Sequence, residues 1–344
     1  MRQKEENMKS IPFYFNYLPA LEKNIYKKLA EGIGQCETQI RVMGTSAQVK
    51  KILPMVFLDN PQFFYVDTTQ FSVVGSPVSC SVSLGYHKSR AEIRSMSERL
   101  ARIEARFLEK IRRKQMGNLL CIKYAHDFII RNTSYAHENL ASQVVYGDVS
   151  GITGVLFQKK AVCMGIAMTM KWLMDRAGIP SAVVEGHLLE RGESPSPDYR
   201  GQPDRNDHAW NLVCLNDIWH CMDVTMDLGG SIGDFIGYDY FLRSEKHMDV
   251  YLQHLPYLVD CTRETGSYFI RNRAIFTQEK EIENYIRHCV QRRKKRIYFT
   301  LDQSAACLPQ EKVQRIIQKN IPCAYNLRCN DRMAVYDISL QGTR

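Results

Sequence analysis

The chain has 344 residues, 44% apolar and 24% charged, with a formal net charge of +9. That balance fits globular domains, excludes a disordered or fibrous chain, and leaves length for two or three packed units. No apolar run approaches a membrane span, and the charged N-terminus meets the proline-broken Ile11-Pro-Phe-Tyr-Phe15 without a signal-peptide core, so a cytoplasmic location is expected.

Leu18, Leu21, Ile25 and Leu29 recur at three- and four-residue steps and predict a helix over 19–31, ended by Gly32 and Gly34. A second helix is expected over 46–57, through Val49, Ile52, Leu53 and Val56, with Pro54 as a kink or boundary. After the Asp59-Asn-Pro61 turn, three runs read as strands: 63–66, 71–74 and 78–84. In the last, Val78, Cys80, Val82 and Leu84 alternate with serines, which predicts one wet face.

Ser89-Arg-Ala-Glu92 is a capping box, and a long charged helix follows to Lys114. Its stripe is Ile93, Met96, Leu100, Ile103, Phe107 and Ile111. Beyond Gly117 a helix over 118–130 carries Leu119, Ile122, Ala125, His126 and Ile129, where His126 reads as a packed histidine. Residues 132–160 read as loops.

Cys163 precedes Ile166, Ala167, Met170, Leu173, Met174 and Ala177, the stripe of a helix that Gly178 and Pro180 end. Cys163 is thus expected at a helix N-terminus, where unpaired N–H groups and the helix dipole favour a thiolate, the form that attacks carbonyl carbon. Taken alone, such a cysteine reads as a small core residue. A short strand is expected over 181–184, then a Pro/Gly/Ser/Asp-rich loop over 192–206.

His208 to Leu215 and Ile218 to Thr225 read as strands joined by an Asn216-Asp217 turn. In that register Leu215 pairs with Ile218 and His208 lies opposite Thr225. Asp223 and Asp227 are both its diagonal neighbours on one face, and spacing does not choose between them. The aromatics between 235 and 257 (Phe235, Tyr238, Tyr240, Phe241, Tyr251, Tyr257) read as core, with a substrate groove as the competing reading. The tail reads as strand from about 266, helix 279–292, strand 296–301, helix 310–318 and strand 332–339.

The eleven cysteines form no Cys-x-x-Cys and no Cys/His set with zinc spacing, which points to reduced thiols and no metal. The basic runs Arg112 to Lys114 and Arg292 to Arg296 read as solvated helix ends, since no nucleic-acid motif accompanies them.

Val162-Cys-x-Gly-x-Ala167, Gly178-Ile-Pro180, His208-Ala-Trp-Asn211 and Trp219-His-x-x-Asp-Val-Thr-x-Asp227, in this order, resemble the core of the transglutaminase-like superfamily over about 116–230. Bacterial members carry a papain-like Cys-His-Asp triad. The resemblance implies Cys163 as nucleophile, His208 as general base and acid, and Asp223, rather than Asp227, as orienter of the imidazole. It leaves the oxyanion donors open: the Cys163 backbone N–H is the natural one, with Gln158 and Trp210 as side-chain candidates at the substrate.

The implied fold is α+β: a papain-like core, in which a Cys-bearing helix packs on an antiparallel sheet bearing His and Asp. The expected divisions are an N-terminal α/β region over 1–115, the core over 116–262 and a small α+β unit over 263–344. The expected activity is acyl transfer through a thioester, with hydrolysis of a peptide or amide favoured over protein-glutamine transamidation and over a non-catalytic peptide-binding scaffold. No cofactor is expected. The expected partner is a peptide or protein substrate, not nucleic acid or a membrane.

Overall fold

The computed structural model describes residues 11–137, 148–188, 208–248, 251–253, 259–302 and 308–341. Two units emerge: Met1–Gly237 with Ser244–Arg263, and Tyr238–Arg243 with Glu264–Arg344. The fold is α+β.

The first unit opens with α1 (Phe13–Tyr17) and α2 (Ala20–Gly34), then β1 (Gln39–Met43) and α3 (Ser46–Asp59). Gly32 lies inside α2, whereas Gly34 is its last residue, as expected. Gly32 faces Ile40 on β1, and a Cβ there would stand 2.6 Å from the isoleucine side chain, so this glycine permits close packing. Leu21, expected in the buried stripe, is 76% exposed. Pro54 neither ends nor divides α3, which starts from a Thr45/Gln48 capping box. Asp59, fully buried, accepts hydrogen bonds from the Phe13, Tyr14 and Phe15 N–H groups and the Tyr26 hydroxyl, which fixes α1.

β2 (Val66–Gly75) and β3 (Ser79–Tyr86) follow, and β3 is the centre of a β1-β3-β2 sheet. Of the strand read over 63–66, Phe63 ends a 3₁₀ turn over Pro61–Phe63, 64–65 are a turn, and Val66 is the first residue of β2. Cys80, Val82 and Leu84 are buried as their alternation predicts, while Val78 lies exposed before the strand. α4 (Arg90–Lys114) begins at the Ser89/Glu92 box, and its Arg112, Arg113 and Lys114 stand exposed in the last turn, where the dipole favours cations. α5 (Asn118–Asn132) buries Cys121, Ile122, Ala125, His126 and Ile129.

The stretch read as loops over 132–160 contains secondary structure. β4 (Ser134–Tyr135) pairs in parallel with β5 (Lys160–Ala161), after a π-helical turn over Gly154–Gln158. These two-residue strands are too short for a periodic signal. Then come α6 (Cys163–Ala177), β6 (Ser181–Leu188), β7 (His208–Leu215), β8 (Ile218–Met222), α7 (Val224–Gly229) and β9 (Tyr251–Gln253), with sheet order β8-β7-β6-β9. The loop read over 192–206 lies outside the described residues, as do Tyr257 and the side chain of Tyr251. No helix among the described residues is long and apolar enough to cross a membrane.

The second unit continues with α8 (Tyr268–Arg271), β10 (Ile275–Phe276), α9 (Glu279–Gln291), β11 (Arg296–Leu301), α10 (Gln310–Asn320), β12 (Tyr325–Asn330) and β13 (Val335–Leu340). Its sheet runs β10-β11-β13-β12. β12 was not legible in the sequence, and residues 332–334, read as strand, are the turn between β12 and β13. Tyr238, Tyr240 and Phe241 are buried, and Tyr238 stacks on Tyr268 with centroids 4.7 Å apart, so these aromatics are core. Asp239 is held by Arg328, Asn330 and the Tyr298 hydroxyl, and these contacts outweigh its burial and lower its carboxyl pKa. Within the basic run, Arg296 forms a two-armed pair with Asp337 at 2.7 and 2.8 Å, so it is not part of a free patch.

Candidate active site

Cys163 is the first residue of α6, as its place before the apolar stripe predicts, and Gly178 closes the helix in the left-handed conformation at φ +73°. Gly165 explains the glycine two residues after the cysteine. A Cβ there would lie 2.2 Å from the Val149 carbonyl oxygen and 3.1 Å from that of Gly151. Only glycine lets the 148–151 turn close on the first turn of α6. That turn also accepts the Val162 N–H at the Val149 carbonyl, 3.1 Å away. Cys163 is thereby fixed from the backbone side.

His208 begins β7. Asn211, on the same strand, donates its amide to the Ala167 carbonyl of α6 at 2.9 Å and to the Ala182 carbonyl of β6 at 3.2 Å. This buried amide ties the histidine strand to the cysteine helix and accounts for Asn in His208-Ala-Trp-Asn211. Trp210 is 1% exposed and stacks near-parallel on His208, with centroids 5.9 Å apart. It walls the imidazole off from water.

The hairpin has the expected register, with Leu215 opposite Ile218 and Asn211 opposite Met222. Asn216 and Asp217 have φ +52° and +61°, as a two-residue primed turn requires. The strand does not continue to Thr225, however. β8 ends at Met222, and Asp223 is the N-cap of α7, accepting the Met226 N–H at 3.0 Å. The N-cap preference for Asp, strong enough to start a helix, overrides the β-branched Val224-Thr225 signal.

Asp223 is fully buried, and its Oδ2 accepts a hydrogen bond from His208 Nε2 at 2.6 Å. This leaves Nδ1 as the nitrogen for Cys163, whose side chain is hydrogen-bonded to His208. Burial opposes charge on His208, but the Asp223 carboxylate and its hydrogen bond, with Cys163 adding to them, outweigh it and raise the imidazole pKa to about 10. An imidazolium therefore stands between a carboxylate and a sulfur.

Asp227 is not a diagonal neighbour of His208 on a strand. It is fully buried on α7, and its Oδ2 accepts from His126 Nε2 at 3.1 Å. His126 Nδ1 donates to Asp127 at 3.1 Å, and Asp127 also takes Lys123 at 2.5 Å. Burial disfavours charge on His126, but its bonds to Asp127 and Asp227 prevail and raise its pKa. A ring donating from both nitrogens is an imidazolium. His126 is thus packed, as read, but packed as a charge between two carboxylates.

Tyr135 is the site residue the sequence did not mark. Its register partner in the β4–β5 pair is Ala161, two residues before Cys163. The hydroxyl is hydrogen-bonded to the Cys163 side chain and accepts the Cys163 backbone N–H. Burial, then the neighbouring Cys163, pushes the phenol pKa well above its ordinary value, so it remains a neutral donor. Gln158, by contrast, is exposed at the end of the π-helical turn, outside the buried cluster. Cys163, His208, Asp223 and Trp210 are thus brought together with Tyr135, and Gln158 is not.

Residues 105–224 match the family model of the transglutaminase-like superfamily. Among solved structures, a TGase is 17% identical, over 57% of this chain and 53% of its own, with a TM-score of 0.29. A candidate cysteine protease from Cytophaga hutchinsonii is 10% identical, over 54% of this chain and 65% of its own, at a TM-score of 0.28. A candidate protease from Parabacteroides distasonis is 14% identical, over 45% of this chain and 36% of its own, at 0.25. The chain thus spans about half the length of the TGase it resembles. No curated protein matches it.

Proposed function

Taking residues 105–224 as a transglutaminase-like superfamily core, we propose that the chain is a cysteine-dependent acyl-transfer enzyme that hydrolyses a peptide or amide bond. One observation carries the reading. His208 is held by a buried carboxylate at 2.6 Å on one side and hydrogen-bonded to a helix-start cysteine on the other. A nucleophile, a base and an orienter are the three parts of a triad.

In this reading the Cys163–His208 pair rests with the proton on His208. The sulfur attacks the acyl carbon and forms a tetrahedral oxyanion. Two donors stand beside the sulfur, the Cys163 N–H and the Tyr135 hydroxyl, bonded to each other at rest. Substrate parts them, and both turn to the oxyanion. His208 gives its proton to the leaving amine as the C–N bond breaks, leaving a thioester. Water, deprotonated by His208, then attacks the thioester; the C–S bond breaks, the acid leaves, and the water's proton stays on His208, which restores the resting pair. Asp223 keeps Nε2 protonated throughout and so holds Nδ1 toward the sulfur.

The test is incubation of the wild-type protein and Cys163→Ala with a peptide library, read by mass spectrometry. Cleavage by wild type alone, with a thioester trapped at Cys163 on rapid acid quench, supports the reading. Cleavage that persists in Cys163→Ala removes Cys163 as nucleophile. Mass gain from an added amine, without cleavage products, assigns transamidation instead.

A further inference from the structure

A cavity of about 400 Å³ lies in the first unit against the first two turns of α6. That volume falls in the ~300–1,000 Å³ range of small-ligand pockets. Met164 and Met168 of α6 line one side, and Phe57, Phe63, Phe64 and Phe71 contribute aromatic walls. Glu185 of β6 also lines it. The position is informative: Met164 directly follows Cys163, and Glu185 directly precedes Gly186, the cross-strand partner of His208. The cavity is thus bounded by the chain neighbour of Cys163 and, through Glu185, by the cross-strand partner of Ala209, the residue after His208.

Among the described residues, Glu185 is the one ionisable group lining the cavity. No hydrogen bond or ion pair holds it among the described residues, and burial alone raises its carboxyl pKa. The other polar lining residues, such as Asn60, Thr68 and Ser150, are neutral. Asn60 already donates its amide to Tyr26 and the Val56 carbonyl. A lone carboxyl in an aromatic box is an unfavourable arrangement for the empty protein. A cation entering the box would meet both a counter-charge and ring faces, and cation–π contacts contribute about 0.5–2 kcal/mol each when desolvated. An aliphatic side chain would fit the walls but leave Glu185 unpaired, and an acidic one would be repelled.

We propose that this cavity is the side-chain subsite of the acyl donor and takes a basic side chain, arginine or lysine, whose cation pairs with Glu185 among the phenylalanines. The proposal rests on the reading of Cys163 as nucleophile, because that reading puts the scissile carbonyl beside Met164.

Peptidyl chloromethyl ketones differing only in the residue next to the reactive group test it. Arg, Lys, Leu, Gln and Glu reagents are compared by intact-mass measurement of Cys163 alkylation, with iodoacetamide as the non-peptide control. The Arg or Lys reagent is expected to react at least about tenfold faster than Leu, the effect of one charge-assisted bond. Glu185→Gln, checked for cooperative unfolding, is expected to erase that advantage. Leu or Gln reacting as fast as Arg and Lys, or an advantage that survives Glu185→Gln, overturns the proposal while Cys163 remains the nucleophile.

Binding of agmatine by titration calorimetry reads the pocket without the sulfur. If iodoacetamide and every peptide reagent leave Cys163 untouched, the acyl-transfer reading fails. The pocket then stands or falls on agmatine alone. Binding by wild type that Glu185→Gln abolishes supports a cation site, and no binding by wild type overturns it.

Discussion

His126 holds Asp227 through a 3.1 Å contact from Nε2 to Oδ2, with both side chains fully buried. This contact settles a question that strand spacing leaves open. Both Asp223 and Asp227 would neighbour His208 if the hairpin ran on to Thr225. The chain instead turns into α7 at Asp223, and the helix carries Asp227 away to α5.

Asp223→Ala and Asp227→Ala should therefore fail in different ways. Asp223→Ala is expected to lower kcat/KM by about 10³–10⁴-fold, the scale of losing the carboxylate that orients a catalytic imidazole. Asp227→Ala removes the carboxylate at His126 Nε2 and is expected to cost about 3 kcal/mol of stability, near the lower end for a broken buried ion pair. Activity per folded molecule should fall far less. Urea unfolding and initial rates on the same preparations separate the two. Comparable activity losses with unchanged stability would contradict this division of roles.

How much of this was legible in the sequence follows from which signals are local. The α6 stripe, the Gly178 stop, the Ser89 cap and the Asn216-Asp217 turn are decided by residues within a few positions, and all stand in the structure. Cys163 and His208 could be placed on their elements for the same reason. Other features were decided farther away or by competing local signals. Gly32 looks like a helix stop as Gly34 is, but the packing of β1 on α2 decides Gly32, and that is tertiary. Val224-Thr225 looks like strand, but Asp223 caps a helix there. Tyr135 lies 28 positions before Cys163 and reaches it through a two-residue parallel pair, which leaves no pattern to read. His126 had a visible clue in its neighbour Asp127, but its second acceptor is 101 residues away.

Tyr135→Phe should keep the ring and remove only the hydroxyl that touches Cys163. If that hydroxyl serves the oxyanion, kcat is expected to drop by about 10²-fold with KM nearly unchanged, since the bond strengthens only in the transition state. Steady-state kinetics on a cleaved peptide provide the measurement. A KM change with kcat intact would make Tyr135 a ground-state binding residue instead.

Gly165→Ala should destabilise the protein although it adds one methyl group to a helix. A Cβ at 2.2 Å from a carbonyl oxygen cannot be accommodated by a side-chain rotation, because the Val149 partner is backbone. The expected loss is about 1–3 kcal/mol, the usual scale of overpacking. Cys163 alkylation should also change in rate, because the 148–151 turn would have to move. An unchanged thermal midpoint would show that this turn yields easily.

The pH behaviour of the site turns on His208. Its pKa is about 10 in the folded chain against an ordinary 6.5. A value raised by folding means that the charged form is favoured in the native state. That stabilisation is fully present below pH about 6.5 and is lost as pH rises through about 10. His126, also raised, adds in the same direction. Stability of the wild type is thus expected to decline between pH 7 and 10, measured by urea midpoints. Catalysis should follow on its alkaline side, because the leaving group needs the His208 proton. Asp223→Asn tests the cause: its side-chain oxygen can still cap α7 at Met226, but it lacks the charge that raises His208. The alkaline limb of kcat/KM should shift to lower pH in Asp223→Asn. Overlapping alkaline limbs for the two proteins would show that Asp223 does not set the imidazole's charge.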